Sequence, residues 1–518
     1  MDSSSSQRPE ELIPFNPTPD DIEAMVNPSA KALVAETEDL FRHGEWKEAT
    51  ENLKRIMRMN DPASGGYSLA QCHHALGDCA MNMRLNGHAI THYQESLRLE
   101  PKNHSVHENL IFLLDSQPWT TDKAAHRARQ AWWTHIGAPA YAERKPFLND
   151  FDPEKTPLRV GYIGQDFRFH SAMIAFASAV FEPSAQIQPV FYSTLPEAHF
   201  DHVTRDLMQK WGPHFVDVSR HTHKAVAEII HQDRIDILVD LAGYTAGNRL
   251  WSFAYAPAPI RITAWGYATG VASPAITHLF ADPIVATETT RQRLSEQVVD
   301  LPCVIGFYPR TDVPEPNPLP CLVDRPKFAV FQRASKLNSD TFATWTKILK
   351  QTPESILVFK GTDYNGDVRE WIVREMASVR HQLSFELGSG HLEHQHWYGA
   401  MDLSLDPWPQ TGGVSSMESL YMGVPMVTLT GERVIQRTSH SILQTLGLPE
   451  FICTTKQQYI KTAVEMVTTK REWLNTIRLG LRDRMKASPI LNGYRDVVEG
   501  KYRELWREAC AKEKEQAA

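Results

Sequence analysis

The sequence predicts an α/β protein in which two consecutive doubly wound, Rossmann-like units face a cleft and an all-α array of short helical repeats precedes them. Two observations carry this. From Leu158 onward, short apolar runs alternate with helical stretches: LRVGYIG, PVFYST and DILVDLAG first, then KFAVFQ, SILVFKG and LSFELG. That is the pattern of a parallel sheet covered by helices on both faces. Before Gly137, apolar residues recur at helical spacing instead. At 518 residues and 42% hydrophobic, the chain is long enough for about three domains.

Residues 1–28 are rich in Ser, Pro and acid and are expected to form a flexible lead-in. A helical domain is expected over 29–140. From Cys72 to Pro101, the positions of Leu76, Gly77, Ala80, Ala89, Tyr93, Ser96, Leu97 and Pro101 suit the small and large packing residues of a tetratricopeptide repeat. Gly44, Trp46, Ala49 and Leu53 form a weaker copy. Its offset exceeds the usual repeat of ~34 residues, so DPASGG at 61–66 is expected to loop out. Such an array either offers a groove to a partner or acceptor, or stabilises the domain after it.

The linker APAYAERKPFLNDFDPEKTP leads into the first Rossmann-like unit, expected over 157–320. Its further strands are RITAWGY, THLFAD and VVDLP, with helices around Ala172 to Phe181 and His223 to His231. The Pro-rich FYPRTDVPEPNPLPCLVDRP at 307–326 connects the units. In the second, expected over 325–518, helices are expected from about Ser339 to Lys350, near Val368 to Val379 and near Glu393 to Ala400. A charged amphipathic helix from Tyr494 to Glu513 is expected to pack back across both units.

The net charge of −8 gives no general attraction to nucleic acid. Six scattered cysteines without a CxxC pair suggest a reduced, intracellular protein. No apolar run approaches ~18 residues, and MDSSSSQRPEEL lacks a signal pattern, so a cytoplasmic protein without a membrane span is expected.

The stretch DLSLDPWPQTGGVSSMESLYMGVPMVTL at 402–429 reads as strand, glycine turn, helix, strand. Gly412 and Gly413 at a helix start would leave backbone N–H groups for a phosphate. Ser415 and Ser416 would add hydroxyl donors, and Glu418 could accept from a ribose hydroxyl. A tight turn between packed elements is the plainer alternative. His391, His394 and His396 lack the spacing of a zinc pattern, and no metal is expected.

This stretch resembles the donor-nucleotide segment of the O-linked N-acetylglucosamine transferase family: a strand ending in LD, a turn, a helix with an acidic residue, then G-x-P-M-V-T. VGYIGQDFRFHS at 160–171 is similar to the family's V-G-[YF]-[VI]-S-x-[DN]-F-x-x-H-P. IHQDRIDILVDLAGYTAGNR at 230–249, PAPIRITAWGY at 257–267 and FQRASKLNSDTFATWTKILKQTPESILV at 331–358 resemble further family motifs, in the family's order from about 158 to 515. The resemblance implies a GT-B fold and an inverting, metal-independent transferase without a cofactor. It would move GlcNAc or a hexose from a UDP-sugar to a Ser/Thr hydroxyl of a protein or peptide. Transfer to Asn, a saccharide or a small molecule, or an inert repeat scaffold, are the alternatives, and the repeats would also allow a homo-oligomer.

By the same resemblance, Lys336 holds the β-phosphate and Glu418 replaces a ribose-binding aspartate. Arg333 stands where relatives often carry an amide, and either adds a cation near the phosphates or pairs elsewhere. His170 is implied near the acceptor hydroxyl, as base or as a group positioning the sugar diphosphate, and His231 carries the same ambiguity. His394 is implied at the uracil. Tyr244, Thr245, Thr411, Gly412, Gly413, Ser415 and Ser416 complete the implied nucleotide-sugar site. Three stretches that line sugar and phosphates depart from the family: Ser171 stands for its proline, Tyr267 to Ala272 for its Y-P-G-T-S-G, and Thr411 to Ser415 for its N-G-H-T-T. A hexose without the N-acetyl group, as in the related cytoplasmic N-glucosyltransferases, is therefore open.

Overall fold

The computed structural model describes residues 29–267, 269–310, 313–387 and 396–517. The chain divides into two compact units, 1–106 and 107–518, and the division falls inside the helix His104–Ser116.

In the first unit, helices Ala30–His43, Trp46–Met59, Leu69–Asn82 and Asn86–Leu99 form two successive pairs. Leu33, Ala49, Leu53, Ile56, Cys72, Leu76 and Cys79 make their core. Gly77 and Tyr93 meet as the repeat pattern requires: a Cβ on Gly77 would stand 2.4 Å from the Tyr93 ring. The segment DPASGG lies between the pairs, outside any helix.

The second unit opens with the rest of the helix His104–Ser116 and the helices Asp122–Trp132 and Ala138–Ala142, and it contains two parallel sheets. The first is made of β1 (Leu158–Gly164), β2 (Ile187–Ser193), β3 (Phe215–Asp217), β4 (Ile237–Asp240), β5 (Ile260–Thr263), β6 (His278–Ala281) and β7 (Gln297–Asp300), in the order β3-β2-β1-β4-β5-β6-β7. The second is made of β8 (Lys327–Val330), β9 (Ile356–Lys360), β10 (Leu383–Glu386), β11 (Leu403–Leu405), β12 (Met426–Leu429) and β13 (Ile452–Cys453), in the order β10-β9-β8-β11-β12-β13. Each order reverses beside its first strand, at β1/β4 and at β8/β11. In open α/β sheets, ligands bind outside the carboxyl ends of the strands at this switch point.

β3 and β13 were not foreseen, because edge strands of three and two residues leave no periodic pattern. The helix expected from Ala172 to Phe181 is two short helices, Ser171–Ile174 and Ala177–Val180. The one expected near Val368 to Val379 ends at Glu375 and gives way to a 3₁₀ segment, Ala377–Gln382. The expected start of the one near Glu393 to Ala400 lies outside the described residues, and 396–399 are helical.

The final helix, Tyr494–Ala517, comes after the second sheet in sequence and packs back on the first half. The Trp265 indole donates to the Tyr494 hydroxyl at 2.9 Å, Glu499 accepts from the Ser184 N–H at 2.8 Å, and Trp506 stacks on Phe151. One apolar core runs through both halves, from Val160 and Phe191 to Phe328, Leu405 and Trp506.

Candidate active site in the cleft

The site begins with two matched aspartates. Asp240 ends β4 and Asp406 lies just after β11, so each stands at the switch point of its sheet. Asp240 accepts from the Ala242 and Gly243 N–H groups at 3.1 and 2.9 Å and from the Thr263 hydroxyl at 2.7 Å. Asp406 accepts from the Gly412 N–H at 2.8 Å and from the Thr428 hydroxyl at 2.7 Å. In both halves, then, a buried carboxylate ties the turn after one strand to a threonine on the next. Burial pushes the Asp406 carboxyl up to about 6, against the pull of Thr428, Ser439, the Gly412 N–H and Lys336.

Asp406 changes the reading of the glycine turn. The Gly412 N–H expected to face a phosphate is taken up by this carboxylate. Ser416 is fully buried, with its hydroxyl 3.1 Å from that of Ser439, and Thr411 is bonded to the Ile435 carbonyl through its N–H and hydroxyl, both at 3.2 Å. These groups build the turn from within. Gly413 starts the helix Val414–Tyr421 and no side chain caps it. The first turn of a helix has N–H groups without intrahelical partners, so Gly413, Val414 and the part-exposed Ser415 are what the turn offers outward. The two glycines have different tasks. A Cβ on Gly412 would meet the Ser416 Oγ at 2.0 Å and Gln332 at 3.0 Å, whereas one on Gly413 would find its nearest neighbour at 3.6 Å. Gly412→Ala is therefore expected to destabilise the protein by about 1–3 kcal/mol and to weaken nucleotide binding. Gly413→Ala should leave the denaturation midpoint near wild type, and equal losses in the two variants would refute the distinction.

Lys336, at the end of the 3₁₀ turn Ala334–Lys336 after β8, donates to the Thr411 carbonyl at 2.9 Å. Burial pushes its ammonium down to about 8; Asp406 pulls it up and Arg333 pushes it down further. Because a diphosphate favours the charged form, affinity for the UDP that the family resemblance implies should be fully present below about pH 8 and fall as pH rises through that value. Calorimetry from about pH 7 to about pH 9, in buffers of different ionisation heat, should show proton uptake on binding. Lys336→Arg, whose charge persists, should remove the dependence. A wild-type affinity that does not change over that range would detach Lys336 from the donor.

Opposite stands His170, at the start of the helix Ser171–Ile174 in the loop after β1. Its Nδ1 lies 3.0 Å from Asp166 Oδ1 and its Nε2 lies 3.2 Å from the Arg333 guanidinium. Residues from the loops after the first strand of each sheet thus meet across the cleft. Next to them Arg310, from the connection between the halves, lies 4.5 Å over the Phe169 ring. Glu418 lines a small crevice with Ile174, Tyr308, Arg310 and Tyr421. Burial pushes its carboxyl up to about 7, with Arg310 opposing.

A third wall comes from the helices ahead of the first sheet. Asp115 binds Arg129 through two hydrogen bonds, at 3.1 and 2.5 Å, and accepts from the Tyr267 hydroxyl. Arg129 also donates to Thr269 at 3.0 Å, and Arg433, from the second half, donates to the Asp115 carbonyl at 2.8 Å. Beside this knot opens a cavity of about 910 Å³, lined among others by Asp122, His126, Thr269, Arg293 and Arg433.

Three expected site residues have their side chains engaged within the fold. His231 is buried, with Nε2 2.9 Å from the Pro146 carbonyl, and anchors the linker. Tyr244 is buried and donates to the Val271 carbonyl at 2.9 Å, while Thr245 bonds within its own turn to the Ala242 carbonyl at 2.8 Å. Their motif shapes the loop from inside. His394 lies outside the described residues, as does His391. Asp166, Arg310, Asp115 and Arg129 were not expected. Asp166 sits four residues before His170, which was a usable signal; the others are assembled only by folding. Among the described residues, no group of three or more His, Cys, Asp or Glu could hold a metal ion, and no helix is long and apolar enough to cross a membrane.

Two Rossmann-like halves meeting at their switch-point loops, with helices ahead of them, define a GT-B type glycosyltransferase fold. The chain belongs to glycosyl transferase family 41, whose model matches residues 107–307 and 324–498. Its structure is similar to that of a mutant of the O-GlcNAc transferase of Thermobaculum terrenum, with a TM-score of 0.82 and 25% identity, covering 94% of this chain and 93% of the other. It is 28% identical over 431 residues to a Petunia hybrida protein named "Probable UDP-N-acetylglucosamine--peptide N-acetylglucosaminyltransferase SPINDLY", covering 80% of this chain and 45% of that protein. It is 29% identical over 368 residues to the SEC protein of Arabidopsis thaliana, similarly named, covering 68% of this chain and 38% of that one. The chain thus spans less than half the length of these plant relatives.

Proposed function

We propose that the protein is an inverting glycosyltransferase that moves a sugar from a UDP-sugar to a Ser or Thr hydroxyl of a protein. The observation that carries this is the meeting of His170 with the Arg333–Lys336 loop, 3.2 Å apart across the cleft. An imidazole able to take a proton and a cation able to hold a departing diphosphate come from opposite halves to one point. The acceptor oxygen attacks the anomeric carbon as the bond to UDP breaks, in one displacement that inverts the centre. The hydroxyl proton passes to His170 Nε2, and the charge developing on the diphosphate is met by Lys336 and the uncapped helix start at Gly413. Asp166 supports the imidazolium that results.

The names of the plant relatives support a UDP-GlcNAc donor and a peptide acceptor. The cavity beside the Asp115 knot would receive the acceptor, because it shares Thr269 with the loop expected to line the sugar and borders Ile435, which holds Thr411. In this reading the transfer needs no metal. Six free cysteines, all buried, support a reduced cytoplasmic setting.

Calorimetric titration with UDP, UDP-GlcNAc, UDP-glucose and GDP-fucose, then mass spectrometry of acceptor proteins incubated with the tightest donor, tests the reading. UDP binding and a sugar on Ser or Thr, both persisting after chelation, are expected. Failure of all four nucleotides to bind would overturn the assignment, and sugar found only on Asn or on a small molecule would overturn the acceptor.

A further inference from the structure

The contact between His170 and Arg333 has a chemical direction. A guanidinium only donates, so the His170 Nε2 that it meets at 3.2 Å supplies the lone pair. The ring is then neutral with its proton on Nδ1, the nitrogen that faces Asp166 Oδ1 at 3.0 Å. The Ala172 N–H, 3.2 Å from the same Nδ1, suits the opposite tautomer. Hydrogen bonds to ions are about twice as strong as neutral ones, so the guanidinium at Nε2 outweighs the Ala172 N–H, and the Asp166 carboxylate favours the same form through its charge, although its Oδ1 makes no hydrogen bond. The lone pair that would take an acceptor's proton is therefore already in use.

Arg333 is exposed, whereas Lys336, three residues on, is partly buried and tied to Thr411. One cation of this loop is fixed where the diphosphate is expected, and the other reaches across the cleft. We infer that Arg333 is a donor-responsive mask on His170. Without donor it occupies Nε2; when a nucleoside diphosphate settles beside Lys336, the guanidinium moves to the phosphate oxygens, frees Nε2 and becomes a second cation on the leaving group. The exchange is favourable because a planar fork of donors matches two anionic oxygens, while a neutral imidazole offers one lone pair. Only hydrogen bonds change partners. The consequence is an order: His170 accepts a proton only after the donor is in place. This inference rests on the donor reading above.

The test monitors carbethoxylation of His170 by diethyl pyrocarbonate, which attacks a free imidazole lone pair, by peptide mass spectrometry of the full chain. Without ligand, Arg333→Gln should react at His170 roughly tenfold faster than wild type, the scale of one lost hydrogen bond to a charged group. Pyrophosphate, which carries the charge without the bulk of a nucleoside, should accelerate wild type and leave Arg333→Gln unchanged. Matching circular dichroism and denaturation midpoints establish that the variant is folded. Equal His170 reactivity in the two proteins overturns the mask. So does a wild-type rate unmoved by pyrophosphate in a sample that calorimetry shows to bind UDP. A protein that binds no UDP yet reacts faster as Arg333→Gln overturns the donor reading, and with it the response to donor, while the cover of Arg333 on His170 stands.

Discussion

Replacing Lys336 with alanine is expected to lower sugar transfer by about two to three orders of magnitude, the scale found when a preorganised charge-stabilising donor is removed from a transition state. Breaking the bond to UDP leaves negative charge on the β-phosphate, and water is a poor substitute inside a partly buried turn. In the proposed reaction Lys336 meets that charge, and the Thr411 carbonyl at 2.9 Å and the field of Asp406 hold its ammonium in place. The loss should appear mainly in kcat, because the charge is greatest in the transition state. UDP affinity should weaken more modestly. Lys336→Arg should recover part of the rate, since it restores charge without the same reach. Single-turnover measurement of transfer checks this, and near-normal turnover in Lys336→Ala would show that another group stabilises the leaving diphosphate.

Asp115→Ala should cost about 3–5 kcal/mol of stability, the range for removing one partner of a buried ion pair. Asp115 and Arg129 are about 3% and 5% exposed, so the variant leaves a buried guanidinium facing nothing of opposite charge. The same change takes from the Tyr267 hydroxyl its carboxylate acceptor and leaves it Thr269. Against a typical total stability of about 5–15 kcal/mol, that is a large fraction, and chemical denaturation should show an early loss of structure. Transfer should fall further than UDP affinity, because the freed residues are Tyr267 and, through Arg129, Thr269, while Lys336 and Gly412 remain in place. Asp115→Asn, which keeps an acceptor for Arg129, should fall between. A midpoint unchanged in Asp115→Ala would mean that Arg129 is satisfied by Tyr244, 5.4 Å from its guanidinium, by Thr269 and by the Ala125 carbonyl.

The alternation of apolar runs and helical stretches was enough to find both sheets, because a strand buried on both faces must be apolar throughout. β1 and β8 fall where LRVGYIG and KFAVFQ stand, and Val414–Tyr421 is the helix expected after the glycine turn. His170 and Lys336 lie in the loops after β1 and β8, where motifs that follow strands place them. Their surroundings were not legible. His170 and Arg333 are 163 residues apart, Tyr267 and Asp115 are 152 apart, and Arg433 reaches Asp115 across 318. No local pattern encodes such pairs, since their formation depends on how two sheets and the helices ahead of them close together. The glycine turn shows the difference within a few residues. Two glycines before a helix specify a turn that leaves N–H groups to be satisfied. Only the packing of β11 against β12 decides that Asp406 takes the Gly412 N–H and that Ser416 faces inward. Local sequence determines which backbone groups and side chains a segment can present, and the tertiary structure decides which of them the protein uses on itself, because each buried donor must first find its partner inside.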